Sequence, residues 1–152
     1  MAGSGIYKTL MFAMNIKKAV TSDLPRLVDF DQIAEVGHGR IEEIKTAIVR
    51  GACWVFSDAG VAHGYAILQN DFFGYPFVRL VYVSDQHRRK GVASRLIRHL
   101  ETVCGADRMF ISASEHNAPM AALMERLGYQ QCGEVHGVDD KAVENVFLKR
   151  LG

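Results

Sequence analysis

Apolar positions along the 152-residue chain alternate between two spacings, one with a period near two and one near three and a half, and the switches between them predict the elements. "NIKKAV" (15–20) reads as a short strand. "TSDLPRLVDFDQIA" (21–34) has helical spacing through Leu24, Leu27 and Val28, with Thr21 or Ser22 as cap and Pro25 in the first turn. "GHGR" (37–40) is a flexible connector. "RIEEIKTAIVRG" repeats the helical period at Ile41, Ile44, Ala47 and Ile48 and closes on Gly51. "ACWVFSDAGVAHGYAILQ" (52–69) is two apolar runs around the turn "SDAG", which is a hairpin pattern. "NDFFGYPF" (70–77) reads as a loop because of its Gly and Pro, and "VRLVYVS" (78–84) as a third consecutive strand.

The second half continues the alternation. A helix carries Ala93, Leu96, Ile97, Leu100 and Val103, and "MFISAS" (109–114) is a buried strand. In "NAPMAALMERLGY" (117–129) Asn117 caps, Pro119 sits in the first turn, Met120, Leu123, Met124 and Leu127 form the stripe, and Gly128 terminates it. Strands "QQCGEVHGV" and "AVENVFLKRL" flank the turn "DDK" (139–141). The order β-α-α-β-β-β-α-β-α-β-β, about seven strands and four helices without linker or repeat, predicts one mixed-sheet α/β domain over 14–152.

Composition narrows the function classes. Eighteen Lys and Arg against seventeen Asp and Glu leave the chain near neutral, which argues against a general nucleic-acid binder. The expectation is therefore no nucleic-acid partner. No apolar run approaches a membrane span, so no membrane association is expected. Cys53, Cys104 and Cys132 are odd in number and widely spaced, as in a reduced, cytoplasmic protein with buried thiols. The six histidines lack HExxH or CxxC-type spacing, so no metal is expected. Residues 1–13 carry no convincing signal peptide and read as a tag remnant or a loose N-terminal extension.

The densest cationic cluster, Arg88-Arg89-Lys90, precedes Gly91 where a strand becomes a helix. The first N–H groups of a helix lack intrahelical partners and lie at the positive end of its dipole. A glycine and flanking cations there suit a phosphate group, although a solvated basic turn has the same composition. The segment matches neither GxxxxGK[ST] nor GxGxxG. "VYVSDQHRRKGVASRL" instead resembles the acetyl-coenzyme A signature [RQ]xxGx[GA] of the GNAT N-acetyltransferase superfamily, through Arg88, Gly91 and Ala93. "SEHNAPMAALMERLGY" is similar to the superfamily's second signature, an Asn that opens a helix ending in Leu-Gly-Tyr. The resemblance covers about 14–151.

The resemblance implies a GNAT-like mixed, mostly antiparallel sheet whose strands splay at the acetyl-CoA site. It implies that Arg88, with the N–H groups of Arg89, Lys90, Gly91, Val92, Ala93 and Ser94, binds the pyrophosphate, that Val81, Tyr82 and Val83 line the pantetheine arm, and that Asn117 contacts the same arm or simply caps its helix. It also implies an N-acetyltransferase in which a primary amine attacks acetyl-CoA directly. The superfamily's usual base and acid positions are Ser112 and Met124 here, and Met124 cannot transfer protons. Ser112, Glu134 and Tyr129 are the remaining catalytic candidates, with Ser114, Glu115 and His116 behind them. Asp29, Asp31, Glu35, Asp139, Asp140 and Glu144 would favour a small cationic amine if they face the acceptor. A protein N-terminus or lysine as acceptor, and a non-catalytic acyl-CoA-binding module, are the alternatives. The phenylalanines of 70–77 suggest a buried flap, a substrate wall or a dimer contact, and monomer and homodimer both remain open.

Overall fold

The computed structural model describes residues 14–36 and 38–152; the expectation for residues 1–13 lies outside this range, as does Gly37 of the connector. Strand β1 (Met14–Lys18) pairs antiparallel with β2 (Cys53–Asp58), from Met14↔Asp58 to Lys18↔Trp54. A short 3-10 turn, Thr21–Asp23, leads into helix α1 (Leu24–Phe30), with Pro25 in its first turn. The cap differs from expectation. The Asp23 carboxylate accepts the Val20 N–H at 2.8 Å, so neither Thr21 nor Ser22 provides it.

The single helix expected over 21–34 is divided. α1 stops at Asp31 (φ −85°, ψ 100°), and a second helix, α2 (Gln32–Val36), starts immediately after it. Helix α3 spans His38–Val49, so residues 38–40 of the expected flexible connector are helical. Propensity permits one continuous helix here, and tertiary partners of the Asp31 side chain override it.

Two-residue turns close both early hairpins. Ala59 and Gly60 (φ 50° and 80°) join β2 to β3 (Val61–Phe72), and Phe73 and Gly74 (φ 52° and 82°) join β3 to β4 (Tyr75–Val83). Left-handed pairs of this kind match the twist of the flanking strands. Residues 70–77 are thus two strand ends around a tight turn, a correction to the expected loop. Phe72 packs on Phe77 and on Phe110, each at 4.9 Å between ring centres, leaving Phe73 at the tip 86% exposed.

The chain divides into two compact units, one running through Ile67 with Leu80–His99, the other Leu68–Arg79 with Leu100–Gly152. The core of the first packs Leu27, Ile44, Ala47 and Ile48 from the helices against Cys53, Val55, Tyr65, Ile67, Leu80 and Tyr82 from the strands. Each large aliphatic side chain buried this way contributes about 1.5–3 kcal/mol. Helix α4 spans Val92–Val103 and buries Val92, Leu96, Ile97 and Leu100. In the second unit β5 (Arg108–Ser114) pairs antiparallel along its whole length with β7 (Ala142–Arg150), which pairs with β6 (Gln130–Asp139). The parallel register of β5 with β4 runs through Phe77↔Phe110 and Val78↔Ile111. Helix α5 (Ala118–Leu127) buries Leu123, Met124 and Leu127 and ends on Gly128 at φ 89°.

The strand order is β1-β2-β3-β4-β5-β7-β6, a single α/β domain with a seven-stranded mixed sheet. Among the described residues four helices have seven or more residues, as expected, and the break at Asp31 adds the short α2 as a fifth. Among the described residues no helix is long and apolar enough to cross a membrane.

Candidate functional site

The basic stretch singled out in the sequence forms the junction between β4 and α4. Ser84 is buried and donates its N–H to the His63 carbonyl at 2.8 Å, and a 3-10 turn, Asp85–His87, follows. His63 is the extra residue of a β-bulge, since Phe56 pairs with Gly64 and Ser57 with Ala62. Arg89 and Gly91 then adopt left-handed conformations, φ 64° and 77°. Gly91 places its carbonyl to accept the Arg95 N–H at 3.0 Å, so the helix begins with Val92. The N–H groups of Val92, Ala93 and Ser94 have no acceptor within the helix, and Gly91 has no side chain to take one.

Two glycines build this junction for different reasons. A Cβ on Gly91 would meet nothing within 4 Å, so the residue serves its backbone angle and leaves open space where a side chain would stand. A Cβ on Gly64 would lie 2.9 Å from Val92 Cγ1 and 3.3 Å from the Tyr82 carbonyl oxygen. Its absence lets the first turn of α4 close against β3 and β4. Arg88, Arg89 and Lys90 are exposed around the opening.

Further cations and imidazoles support the junction. The rings of His63 and His87 stack at 3.5 Å with 13° between their planes, and Arg26 Nη2 lies 3.4 Å from His63 Nδ1. Burial lowers the His63 pKa, His87 and Arg26 lower it further, Asp58 opposes them in part, and Lys90 adds a smaller lowering.

Asp31 is the main site residue whose role sequence reasoning mistook. Rather than facing an acceptor, its carboxylate is fully buried. It accepts from Arg40 Nε at 3.0 Å, from the Ile33 and Ala34 N–H groups at 2.9 and 3.2 Å, and from the Tyr65 hydroxyl. Its charge is matched by Arg40 and is unavailable to a cationic amine. Burial and the Asp31 carboxylate raise the Tyr65 pKa. The signal available in the sequence was an acidic residue inside an apolar helical pattern. Asp29 is exposed and lies 3.6 Å from Arg26, and the Glu35 side chain falls outside what the structure describes.

In the second unit the expected catalytic residues separate. Directly opposed residues in antiparallel strands share a face. Ser112 lies opposite Val146, which lies opposite Gly133, whereas Ala113, Asn145 and Glu134 form the neighbouring row. Ser112 and Glu134 therefore project from opposite faces of the sheet and cannot serve one reacting atom together. Glu134 is exposed, with Oε2 3.2 Å from His136 Nε2. His136, Glu115, Asp139, Asp140 and Lys141 line an open depression of about 350 Å³ around the β6–β7 turn.

Tyr129 is core. Its hydroxyl donates to Glu101 at 3.2 Å, Lys149 Nζ approaches the same carboxylate at 2.8 Å, and burial with Glu101 raises its pKa. A phenol so committed is a strut rather than a proton carrier, a correction to its place among the catalytic candidates. Met124 is fully buried. Asn117 caps α5 through its side chain, which accepts the Met120 N–H at 3.2 Å. Glu115 and His116 are tied to the β7 side, Glu115 accepting the Val143 N–H at 3.0 Å. Among the described residues no cluster of three or more His, Cys, Asp or Glu could hold a metal ion.

Comparisons with known proteins bear on the whole arrangement. A GNAT-family acetyltransferase crystal structure from Bacillus cereus is 28% identical, covering 90% of this chain and 96% of that one, with a TM-score of 0.82. The Salmonella typhimurium protein yncA, solved with its cofactor acetyl-CoA, is 21% identical over 92% and 95% of the two chains, TM-score 0.72. The ribosomal-protein-S18-alanine N-acetyltransferase of Escherichia coli is 18% identical over 91% and 94%, TM-score 0.76. No curated protein sequence matches the chain. The family model for the acetyltransferase (GNAT) family matches residues 23–129, more than two thirds of the chain and both signatures, so the chain belongs to the GNAT acetyltransferase family and uses acetyl-CoA as co-substrate.

Proposed function

We propose that this protein is an N-acetyltransferase that moves the acetyl group of acetyl-CoA to the primary amine of a small acceptor by direct attack in a ternary complex. The observation that carries the reading is the β4–α4 junction. Its glycine and left-handed arginine leave the first N–H groups of α4 open beside exposed Arg89 and Lys90. In this reading the N–H groups of Arg89 through Ser94 bind the pyrophosphate, Val81 and Val83 offer backbone groups to the pantetheine arm beside Tyr82, and Asn117 contacts the same arm.

The neutral amine attacks the thioester carbonyl, and the Val83 N–H stabilises the oxyanion that forms. The C–S bond then breaks, CoA leaves as thiolate, and the ammonium proton passes to a base. Glu134, exposed and paired to His136, is that base; Tyr129 is committed to Glu101. Asp139, Asp140, Glu144 and Glu134 favour an acceptor with a second positive charge. Holding the amine in line supplies most of the acceleration, with proton transfer adding about 10²–10⁴-fold.

Calorimetric titration with acetyl-CoA, CoA and dephospho-CoA, followed by thiol release against a panel of amines, tests the reading. Binding with release from small diamines or polyamines supports it. Release confined to peptides would move the acceptor to a protein N-terminus or lysine, and binding without release on any acceptor would make the protein an acyl-CoA-binding module. With an acceptor in hand, Glu134→Gln is expected to lower kcat by about 10²-fold or more with coenzyme affinity unchanged. An unaltered kcat removes Glu134 from the mechanism.

A further inference from the structure

Arg88 opens the coenzyme junction, yet its side chain is engaged within the protein on three sides. Nε donates to the Val83 carbonyl at 3.2 Å, Nη1 lies 3.0 Å from Asp85 Oδ1, and the guanidinium sits 5.4 Å from the centre of the Tyr82 ring. The next residue, Arg89, holds φ at 64°, a conformation that non-glycine residues adopt at a cost and keep only where their surroundings over-determine it. The arrangement does not end at Arg88. The second carboxylate oxygen of Asp85 accepts from the side-chain amide of Gln32, the first residue of α2. The Gln32 backbone N–H donates to the Tyr82 hydroxyl at 3.1 Å. The preceding residue is Asp31, buried and bonded to Arg40 and Tyr65. The corner between α1 and α2 is therefore anchored in the core and reaches the junction through one amide and one phenol.

We infer that Gln32 and Asp85 are positioning residues for coenzyme binding: they hold Arg88, and through it the strained Arg89–Gly91 backbone, in the conformation that points the N–H groups of residues 89–94 at the pyrophosphate. Neither is among the proposed coenzyme contacts, and this inference rests on the proposed use of the junction. Chain order could not reveal the link, because Gln32 and Asp85 are 53 residues apart. The role also explains why an exposed glutamine at a helix start turns toward an aspartate rather than solvent.

Gln32→Ala removes the amide while the backbone N–H to Tyr82 remains. Asp85→Asn keeps an oxygen for Gln32 while the charge facing Arg88 is lost. Each is expected to raise the Kd for CoA by about threefold to tenfold, the range for one exposed ion pair or hydrogen bond that organises a site. The factor should be the same for dephospho-CoA, since the pyrophosphate is common to both. The melting temperature should be unchanged, because both side chains are exposed. The double variant should be no weaker than the worse single one, since both act through Arg88. Unchanged affinity in both singles, or strictly additive losses in the double, overturns the positioning role while leaving the coenzyme site in place. Absence of CoA binding by the unaltered protein overturns the coenzyme reading and this inference with it.

Discussion

Two strand-to-helix junctions in this chain solve the same electrostatic problem in opposite ways. β5 passes to α5 through Asn117, whose side chain accepts the Met120 N–H, and Pro119 removes another donor, so that helix start is largely satisfied from within. β4 passes to α4 through Gly91, which has no side chain to offer, after Arg89 has taken up a left-handed conformation. The first is built for stability. The second gives up a cap worth about 0.5–2 kcal/mol and keeps its donors open, which is the physical signature of a helix start that a ligand completes.

The sharpest way to break this contrast is Gly91→Glu. The added carboxylate would occupy the open space over the N–H groups as a tethered anion, and φ 77° would add strain of about 1 kcal/mol. CoA affinity is expected to fall at least about a hundredfold, equivalent to about 2.7 kcal/mol, with the fold retained. Calorimetry and far-ultraviolet circular dichroism separate the two effects. Affinity within threefold of the parent would mean that the junction does not hold phosphate.

Asn117→Ala examines the other side. Loss of the cap should reduce stability by about 0.5–2 kcal/mol in urea denaturation. If Asn117 also contacts the pantetheine arm, CoA affinity should fall by about threefold to tenfold, the contribution of one hydrogen bond. A drop in stability with affinity untouched would leave the residue a cap and nothing more. That result would widen the contrast between the junctions.

The legibility of these features followed the range of the interactions behind them. The α5 cap, the Gly128 stop and the turn at Ala59–Gly60 are local and were readable from neighbouring residues. The second hairpin was not, because Phe73 stands where an Asn would signal a left-handed turn and Pro76 lies inside β4. The α1–α2 break depends on Tyr65, 34 residues from Asp31, and the opposite orientations of Ser112 and Glu134 on a register set through β7. The commitment of Tyr129 likewise required Glu101 and Lys149, each distant in sequence. What the chain encoded locally was the glycine and cations of the β4–α4 junction, and what it encoded by long-range pairing was which polar groups are already spoken for.

The smallest expected effect distinguishes the junctions by pH. His63 and His87 are stacked beside Arg26, and His63 titrates below its usual value because burial, then His87 and Arg26, oppose its charging more than Asp58 favours it. A histidine whose folded pKa is depressed contributes stability that is fully present above its unfolded pKa, about 6.5, and is lost as the pH falls toward the folded value. The melting temperature should therefore decline between pH 7 and pH 5. His63→Gln should reduce that decline, leaving the share of His99, whose pKa burial also lowers, while stability at pH 8 stays close to the parent, since glutamine can still accept from Arg26 and carries no titratable proton. Because the His63 carbonyl holds the Ser84 N–H, the decline should be accompanied by amide exchange that rises at residues 84–91 and stays constant at 115–118. An equal rise at both junctions would trace the acid sensitivity to global unfolding and remove the stacked imidazoles as its cause.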